Sequence, residues 1–430
     1  MKFLIQGGQP VEGEIILAGA KNAVTKMMIA SLLTSEECVL ENIPLIGDLN
    51  ITIELCELIG SQIEITDHVL KIKTPQIKTT EVLSLSRRNR IPILTLGPLL
   101  ARKGKAKVPI LGGDKLGPRP VDIHLESLKK LGAEILEGDG FYEAKAENGL
   151  YGAYIKFPYP SVGATENTIL AAVLAKGKTV IEGAAIEPEI IELIKMLQKM
   201  GAIIELGADR RIYIDGVLKL KGVKHRLLPD RNEAVSFACL AIATGGMILV
   251  KGAIQEHLIT FLNTIRRLGA DYEVVEEGIK FWRISDLKAI QVETDTHPGF
   301  MTDWQQPLAV LLTQAYGKSI IHETVYEDRF TYTKDLNSMG ANIEVSEECL
   351  GELPCRFKGK GYKHSALIYG PTKLKASKLL VPDLRAGMAH IIAACIAEGE
   401  SEIENIEEID RGYERIDERL KEIGIKITRI

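Results

Sequence analysis

The sequence predicts an α/β protein with two pseudo-symmetric domains, each built from three repeated units. The first observation behind this prediction is an apolar, helix-like run that ends in a hydrophobic-Gly-x-x-hydrophobic step and occurs six times in the 430 residues. The second is a further apolar run that, in most units, stops at a glycine and precedes a short β-branched stretch. The third is the chain length, which favours two or three domains.

The six steps recur at nearly constant spacing. Their glycines are Gly60, Gly132, Gly201, Gly269, Gly340 and Gly424. Four of the five intervals between them are 68 to 72 residues and the last is 84, all longer than the ~20 to 50 residues of common solenoid repeats. The second helix is predicted at 166–176, 232–244, 304–316 and 386–398, and Gly177, Gly245, Gly317 or Gly399 follows it directly. Units of this size favour globular domains over a solenoid.

The composition excludes several classes of protein. With 53 basic and 58 acidic residues the net charge is -5, so no general positive surface for nucleic acid or an anionic membrane is expected. No apolar run approaches the ~20 residues of a membrane span, and residues 1–8 do not resemble a secretory signal. These features predict a cytoplasmic protein without a nucleic-acid or membrane partner.

The six cysteines and eight histidines show none of the familiar metal-binding patterns. No CxxC pair and no HExxH motif is present. The sequence therefore predicts free thiols in a reducing compartment and no metal site.

The segments before the second helices carry the candidate site residues. In the first half these segments are basic or small, and in the second half each contains an aspartate, namely Asp230, Asp303 or Asp383. Helix N-termini attract anions, so a cleft that gathers such helix starts with Lys21, Arg90 and Arg385 would suit a substrate with several negative charges. An aspartate here also serves as a simple N-cap, the interpretation favoured for Asp230. For Lys21, substrate binding and a solvated surface lysine are equally open.

Residues 111–120 form the most distinctive loop. Three glycines and two prolines in ten residues argue against a helix or a central strand. The loop carries Asp114, Lys115 and Arg119, but it matches neither the P-loop nor the GxGxxG pattern. It is either a ligand-binding loop or a mobile surface loop.

Motifs over nearly the whole chain resemble those of the UDP-N-acetylglucosamine enolpyruvyl transferases. They include Gly19-Ala20-Lys21-Asn22-Ala23, Leu96-Gly97-Pro98-Leu99, Gly117-Pro118-Arg119-Pro120-Val121-Asp122-Ile123-His124, Ser161-Val162-Gly163-Ala164-Thr165, Glu187-Pro188-Glu189-Ile190, Leu228-Pro229-Asp230-Arg231, Thr302-Asp303, Glu323-Thr324-Val325, Asp383-Leu384-Arg385 and Asp410-Arg411-Gly412-Tyr413. The resemblance implies an inside-out α/β barrel fold, in which each domain has three βαβαββ-like units with helices inside and sheets outside. It also implies domains at 21–228 and at 1–20 with 229–430, and an active site in the cleft between them.

The same resemblance implies a reaction and a set of roles. The enolpyruvyl group of phosphoenolpyruvate would pass to UDP-N-acetylglucosamine with release of phosphate, the first committed step of peptidoglycan synthesis, without a metal or organic cofactor. Asp303 would take the proton of the sugar hydroxyl and Asp114 would act as general acid. The cations implied to bind phosphoenolpyruvate are Lys21, Arg119 and Arg411, with Arg385 near that end. The implied sugar-nucleotide contacts are Asn22, Arg90, Pro120, Val121, Asp122, Ile123, Ser161, Val162, Gly163, Asp303 and Val325.

Two departures from the family pattern and two rival functions qualify this interpretation. The general-acid position is commonly a cysteine, which the antibiotic fosfomycin alkylates, and here it is Asp114. Where members often have Lys-Val, this chain has Tyr159-Pro160. One rival is the sister enzyme that transfers the same group to shikimate phosphate. The other is a non-catalytic paralogue that binds the UDP-sugar.

Overall fold

The computed structural model describes residues 1–85, 89–110 and 121–430. The chain separates into two compact units. The terminal unit combines Met1–Ala18 with Pro229–Ile430, and the middle unit is Gly19–Leu228. Each unit has its own hydrophobic core, which is the usual property of a domain.

The chain begins with two strands of the terminal unit, β1 (Lys2–Gln6) and β2 (Glu12–Ile16), and then forms the middle unit. The helices of the middle unit are α1 (Lys21–Ser31), α2 (Gly47–Ile59), α3 (Leu96–Lys103), α4 (Asp122–Lys130), α5 (Val162–Ala172) and α6 (Pro188–Lys199). Its strands are β3 (Cys38–Glu41), β4 (Gln62–Thr66), β5 (Val69–Lys73), β6 (Lys105–Pro109), β7 (Glu134–Gly138), β8 (Phe141–Lys145), β9 (Tyr154–Lys156), β10 (Lys178–Glu182), β11 (Ile203–Gly207), β12 (Arg211–Asp215) and β13 (Val223–Arg226).

The remainder of the terminal unit follows the same alternation. Its helices are α7 (Arg231–Thr244), α8 (Ile259–Leu268), α9 (Gln305–Leu312), α10 (Thr333–Ser338), α11 (Leu384–Ile396), α12 (Glu407–Asp410) and α13 (Ile416–Glu422). Its strands are β14 (Met247–Lys251), β15 (Ala270–Val275), β16 (Gly278–Arg283), β17 (Gln291–Glu293), β18 (Gly317–His322), β19 (Asn342–Ser346), β20 (Ser365–Gly370), β21 (Lys378–Leu380), β22 (Glu400–Glu404) and β23 (Lys426–Arg429). In the part of the chain that the structure describes, every helix is too short or too polar to cross a lipid bilayer.

The repeat is a βαβαββ unit. In the segment β9-α5-β10-α6-β11-β12, β9 runs parallel to β10, β10 is antiparallel to β12, and β12 is antiparallel to β11. The segment β17-α9-β18-α10-β19-β20 has the same pairing and the same strand order. The repeated unit expected from the sequence is therefore confirmed.

Two strands complete sheets that lie far from them in sequence. β13, at the end of the middle unit, runs parallel to β3 and completes the sheet β13-β3-β5-β4. β1 lies between β22 and β23, antiparallel to both, so the start of the chain completes the last repeat. Because these strands join distant parts of the chain, each unit is closed by long-range pairing.

The helices that begin near the candidate site residues form the inside of each unit. In the terminal unit α7, α9 and α11 pack against one another, and residues 231–242, 305–312 and 384–395 are buried throughout. A helix that is buried on all sides belongs to the interior. The expected arrangement with helices inside and sheets outside is therefore confirmed.

The repeat glycines end helices. All six have φ between 91° and 125°, a backbone region that glycine enters without the steric cost of a Cβ atom. This is the physical reason why the glycines recur at the same place in every unit.

Candidate active site

Three interior helices of the terminal unit begin beside aspartates. The Oδ1 atom of Asp230 accepts a hydrogen bond of 2.7 Å from the first turn of α7. That of Asp383 accepts two, of 2.9 and 3.1 Å, from the first turn of α11. Both residues are N-caps, because they satisfy backbone N–H groups that have no partner within the helix. The N-cap interpretation of Asp230 is confirmed.

Asp303, in the 3₁₀ turn Thr302–Trp304 before α9, is held by two arginines. Its Oδ1 accepts from Nη2 of Arg329 at 2.6 Å, and its Oδ2 accepts from Nε of Arg385 at 3.0 Å. Both guanidinium groups are buried, whereas the Asp303 side chain is 19% exposed. Two adjacent cations favour the ionised carboxylate, and a carboxylate must be ionised before it can accept a proton.

The two arginines remain charged in spite of their burial. Burial by itself lowers the pKa of Arg329, but the carboxylates of Asp303, Glu323 and Asp383 outweigh it and raise that pKa. The pKa of Arg385 is likewise raised, because Asp303, Tyr413 and Asp230 together exceed the effect of burial. The result is a buried charge network centred on Asp303.

Tyr413 joins two of the interior helices at this network. Its hydroxyl lies 2.9 Å from Oγ of Ser236, on α7, and accepts from Nη1 of Arg385, on α11, at 3.4 Å. Burial is the main reason that the pKa of Tyr413 is raised. Arg411 stands two residues earlier, is only 12% exposed, and donates from Nη1 to Oε2 of Glu408 at 2.7 Å.

The buried carboxylate of Glu323 connects Asp303 to Val325. Its Oε2 accepts from Oγ1 of Thr302 at 2.9 Å, one residue before Asp303, and its Oε1 accepts from the backbone N–H of Val325 at 2.8 Å. Oε1 also accepts from Oγ1 of Thr294 at 2.8 Å. Glu323 therefore links the segments that carry Asp303 and Val325. The sequence motif that contains Glu323 had assigned it no role.

In the middle unit, Lys21 is the first residue of α1 and forms a largely buried ion pair. Its Nζ lies 3.0 Å from Oδ2 of Asp48, and the two side chains are 16% and 12% exposed. This pairing contradicts the alternative of a solvated surface lysine. Asn22 follows on α1 and is half-buried.

The motif that contains Lys21 begins with Gly19, and the packing at this position requires a glycine. A Cβ atom at Gly19 would lie 1.8 Å from the carbonyl oxygen of Asn42, so any other residue would push these two backbones apart. The glycine thus allows the close approach that precedes Lys21.

His124, on α4, organises the predicted sugar-nucleotide residues of the middle unit. Its Nδ1 faces the amide nitrogen of Asn167, on α5, at 3.3 Å. Burial first, and the charge of Arg90 second, lower the pKa of His124 to about 3, so the ring is neutral at physiological pH. A Cβ atom at Gly163 would lie 3.0 Å from the ring, which shows how closely the start of α5 packs on His124.

This packing brings several predicted contacts into one region. Ser161 caps α5 by accepting from the backbone N–H of Ala164 at 3.4 Å, and Asp122 is exposed at the start of α4, which packs on α5. The residues so gathered are Arg90, Val121, Asp122, Ile123, Ser161, Val162 and Gly163.

Part of the predicted site lies outside the described residues. Asp114, Arg119 and Pro120 fall within residues 111–120, and their implied roles remain predictions.

The structure also reveals side chains that sequence reasoning missed. Arg329 binds Asp303 and Asp48 pairs with Lys21, but neither stands in a motif that singled it out. All six cysteines are free thiols as expected. However, Cys349 and Cys355 lie beside two histidines, a cluster that the sequence did not predict. The long intervals between these residues hid the cluster from a search for short motifs.

Repeated βαβαββ units with interior helices and outer sheets define the enolpyruvyl transferase fold. The structure is similar to the crystal structure of the enolpyruvyl transferase NikO from Streptomyces tendae, with a TM-score of 0.86 over 99% of this chain and 98% of that chain at 20% identity. It also resembles EPSP synthase from Acinetobacter baumannii, with a TM-score of 0.74 over all of both chains at 18% identity. At these identities the likeness shows the fold.

Sequence comparison shows the family. The family described as EPSP synthase (3-phosphoshikimate 1-carboxyvinyltransferase) matches residues 5–420. The chain is 49% identical to a UDP-N-acetylglucosamine 1-carboxyvinyltransferase of Chlamydia abortus, over 98% of this chain and 96% of that one. It is 47% identical to a protein of that name from Protochlamydia amoebophila, over 99% and 93% of the two chains. The chain therefore belongs to the EPSP synthase family of enolpyruvyl transferases.

Proposed function

We propose that this chain transfers the enolpyruvyl group of phosphoenolpyruvate to UDP-N-acetylglucosamine with release of phosphate, the first committed step of peptidoglycan synthesis. The observation that carries the proposal is the identity of 47 to 49% over nearly the full length to proteins named for this activity. The six unbridged cysteines support a reducing compartment such as the cytoplasm.

The donor, phosphoenolpyruvate, is assigned to Lys21, Arg119 and Arg411, with Arg385 nearby. Lys21 and Arg411 are mostly buried, and each is already oriented by a carboxylate, Asp48 or Glu408. Oriented cations suit a phosphate or carboxylate because little side-chain freedom is lost on binding. This pre-orientation supports the assignment of both residues.

The acceptor is assigned to the residues gathered around His124 and to Asn22, Pro120, Asp303 and Val325. Arg90 offers a cation for the diphosphate, and the capped start of α5 offers backbone N–H groups. In the terminal unit, Glu323 orients the backbone of Val325.

The chemistry requires one base and one acid. Asp303 accepts the proton of the sugar hydroxyl, whose oxygen forms a bond to C2 of phosphoenolpyruvate, while Asp114 delivers a proton to the methylene carbon. The product of this addition is a tetrahedral intermediate. The carboxylate of Asp114 then takes back a methyl proton as the C2–O bond to phosphate breaks, which restores the double bond, and the proton held by Asp303 leaves with the inorganic phosphate. The ion pairs of Asp303 to Arg329 and Arg385 support the base assignment, because they hold the carboxylate in a fixed orientation.

Two alternatives differ from this proposal, one in the acceptor and the other in the absence of catalysis. The family description itself names EPSP synthase, which favours shikimate 3-phosphate as a second candidate acceptor. The departures at Asp114 and Tyr159 favour a non-catalytic UDP-sugar-binding protein.

The deciding experiment measures phosphate release from phosphoenolpyruvate with purified protein, adding UDP-N-acetylglucosamine, shikimate 3-phosphate or neither. The proposal predicts release only with the UDP-sugar. Release with shikimate 3-phosphate alone would support the sister activity. Binding of the UDP-sugar by calorimetry without any phosphate release would support the non-catalytic paralogue.

A further inference from the structure

Two histidines and two cysteines meet at one end of a sheet in the terminal unit. His322 ends β18, and its register partner Ser365 begins β20 directly after His364. Cys349 and Cys355 lie on the segment between β19 and β20. The Sγ atoms and one ring nitrogen of each histidine all lie within 4.8 Å of one another.

The hydrogen bonds of His322 leave its Nε2 atom as a lone-pair donor. Its Nδ1 lies 2.8 Å from Oγ of Ser365, and that hydroxyl gives its only hydrogen to the carbonyl oxygen of Glu348 at 2.6 Å. Nδ1 must therefore carry the proton and donate it to Ser365. Nε2 is buried and, among the described residues, has no hydrogen-bond partner, a costly condition that calls for a ligand.

A hydrogen bond also determines which ring nitrogen of His364 carries the proton. Its Nδ1 lies 2.6 Å from the carbonyl oxygen of Tyr362, which can only accept, so Nδ1 carries the proton. Its Nε2 faces Sγ of Cys349 at 3.3 Å. His364 thus turns an unprotonated Nε2 atom toward a thiol, and in both histidines a neighbouring oxygen fixes the tautomer, the usual support of a metal-binding histidine.

The segment between β19 and β20 packs closely against His322. A Cβ atom at Gly351 would come within 2.4 Å of Cδ2 of His322, so only glycine allows the approach. The ring of Phe357 packs on His364 with centroids 5.9 Å apart. Burial and the neighbouring Cys355 raise the pKa of the Cys349 thiol.

We propose that His322, Cys349, Cys355 and His364 bind one Zn²⁺ ion. Two imidazoles and two thiolates are a preferred tetrahedral donor set for zinc, and four protein ligands leave no open position, so the site is structural. Zn–N bonds of about 2.0 Å and Zn–S bonds of about 2.3 Å separate the ligand atoms by roughly 3.3 to 3.8 Å in a tetrahedron. Binding therefore needs the cluster to contract by about 1 Å, and it releases the two thiol protons.

The site would position a loop that the proposed function uses. Arg356 directly follows Cys355 and donates a hydrogen bond from Nη2 to the carbonyl oxygen of Val325. On the other side, Glu323 follows His322, and its backbone N–H donates a 2.7 Å hydrogen bond to the carbonyl oxygen of His364. A zinc ion at the cluster would therefore fix both contacts that support residues 323–325, one through Arg356 and the other through His364.

The test measures the metal itself. The full chain is purified without a histidine tag from zinc-supplemented cells, and metal content is determined by inductively coupled plasma mass spectrometry. We expect one zinc per chain in the wild type, and little in Cys349→Ser and Cys355→Ser. Cys395→Ala, which removes a buried thiol elsewhere in the same unit, is the matched control and should keep the full content.

A second measurement does not depend on the variants. Wild-type protein stripped with a chelator and reloaded with Co²⁺ should show the intense visible bands of tetrahedral cobalt with thiolate ligands, and zinc should raise its melting temperature. Ser365→Ala should weaken zinc binding by roughly 10- to 100-fold, as for loss of other groups that orient a metal ligand. Zinc-free wild type that gives no such cobalt spectrum, or a Cys349–Cys355 disulfide found by mass spectrometry in its place, would overturn the proposal. None of these readouts uses the transferase reaction, so they stand or fall separately from the proposed function.

Discussion

Arg385 donates from Nε to Oδ2 of Asp303 at 3.0 Å, so a residue in the first turn of α11 orients the carboxylate that precedes α9. Arg329 binds the other oxygen at 2.6 Å. Because both arginines are buried and charged, Asp303 combines a structural ion pair with the proposed role of base. A test of that role must therefore separate chemistry from stability.

Asp303→Asn should lower the turnover number by at least ~100-fold, the lower end for loss of an acid–base group. The amide keeps the shape of the side chain but cannot accept a proton from the sugar hydroxyl. Phosphate-release kinetics measure the loss, and calorimetry should find UDP-N-acetylglucosamine binding largely retained. Near-normal turnover would place the base at another residue.

The matched control is Asp383→Asn. Asp383 accepts hydrogen bonds from the backbone at the start of α11, and asparagine is an equally good N-cap. Asp383 contributes only part of the negative charge around Arg329, so this variant should lose less stability than Asp303→Asn, in which two buried guanidinium groups lose the ionic partner to which they are hydrogen-bonded. An equal loss of activity in both variants would point to general disruption of the helix starts.

Lys21→Ala should weaken phosphoenolpyruvate binding by roughly 10- to 100-fold, the effect of losing a charged hydrogen bond of about 1.5 to 3 kcal/mol. The comparison is Asp48→Asn, which removes the charge that pairs with Lys21 but keeps the ammonium. If Lys21 contacts the donor, its removal raises the KM for phosphoenolpyruvate far more than Asp48→Asn does. Equal effects would make the ion pair purely structural.

Glu166→Gln should stabilise the protein at alkaline pH. Glu166 is fully buried on α5, and burial, against the opposing charge of Lys26, raises its pKa from 4.5 to about 7. The folded state then binds more protons than the unfolded state between these two values, so the stability due to neutral Glu166 is complete below pH 4.5 and lost as pH rises through 7. The shift corresponds to a contribution on the order of 3 kcal/mol.

Chemical unfolding of wild type and Glu166→Gln at pH 5 and pH 8 checks this prediction. The free energy of unfolding of the variant should be close to that of the wild type at pH 5 and higher than that of the wild type at pH 8. Glu126→Gln, at an exposed position on α4, is the control and should change little at either pH. If the free energies of unfolding of Glu166→Gln and wild type differ by the same amount at both pH values, Glu166 does not titrate in this range.

Asp114 should make the enzyme resistant to fosfomycin, because a carboxylate is a far weaker nucleophile than the thiolate common at this position. Time-dependent inactivation measures it, and Asp114→Cys should become sensitive while remaining active. As general acid, Asp114 must be protonated when it reacts, so wild-type activity should decline towards alkaline pH. Full activity of Asp114→Ala, or rapid inactivation of the wild type, would refute this role.

The repeat was predictable because it has a local physical cause. Each unit needs a residue with positive φ between a helix and a strand, and glycine at Gly60, Gly132 and their counterparts provides it. The predicted second helices were shifted by a few residues: the run expected at 166–176 begins at Val162, where Ser161 caps it. The error arose because the apolar pattern marks the buried part of a helix, whereas the cap sets its first residue.

The candidate site was predictable only where a motif stood in one short segment. Lys21, Asp303 and Arg411 were singled out in this way, but Arg329 and Asp48 bind partners that are distant in sequence. Arg329, for example, lies 26 positions after Asp303, and no local pattern relates the two.

The sequence by itself thus determined the repeated α/β architecture, the family and the chemical types of residue available for catalysis, because turns, helix faces and motifs are encoded by near neighbours. The tertiary structure decided which charges meet. It pairs Lys21 with Asp48, holds Asp303 between two arginines, and joins His322 and His364 to two cysteines. The reason is physical: ionic and metal–ligand contacts act over a few ångströms in space, and only strand pairing and helix packing determine which distant residues come that close.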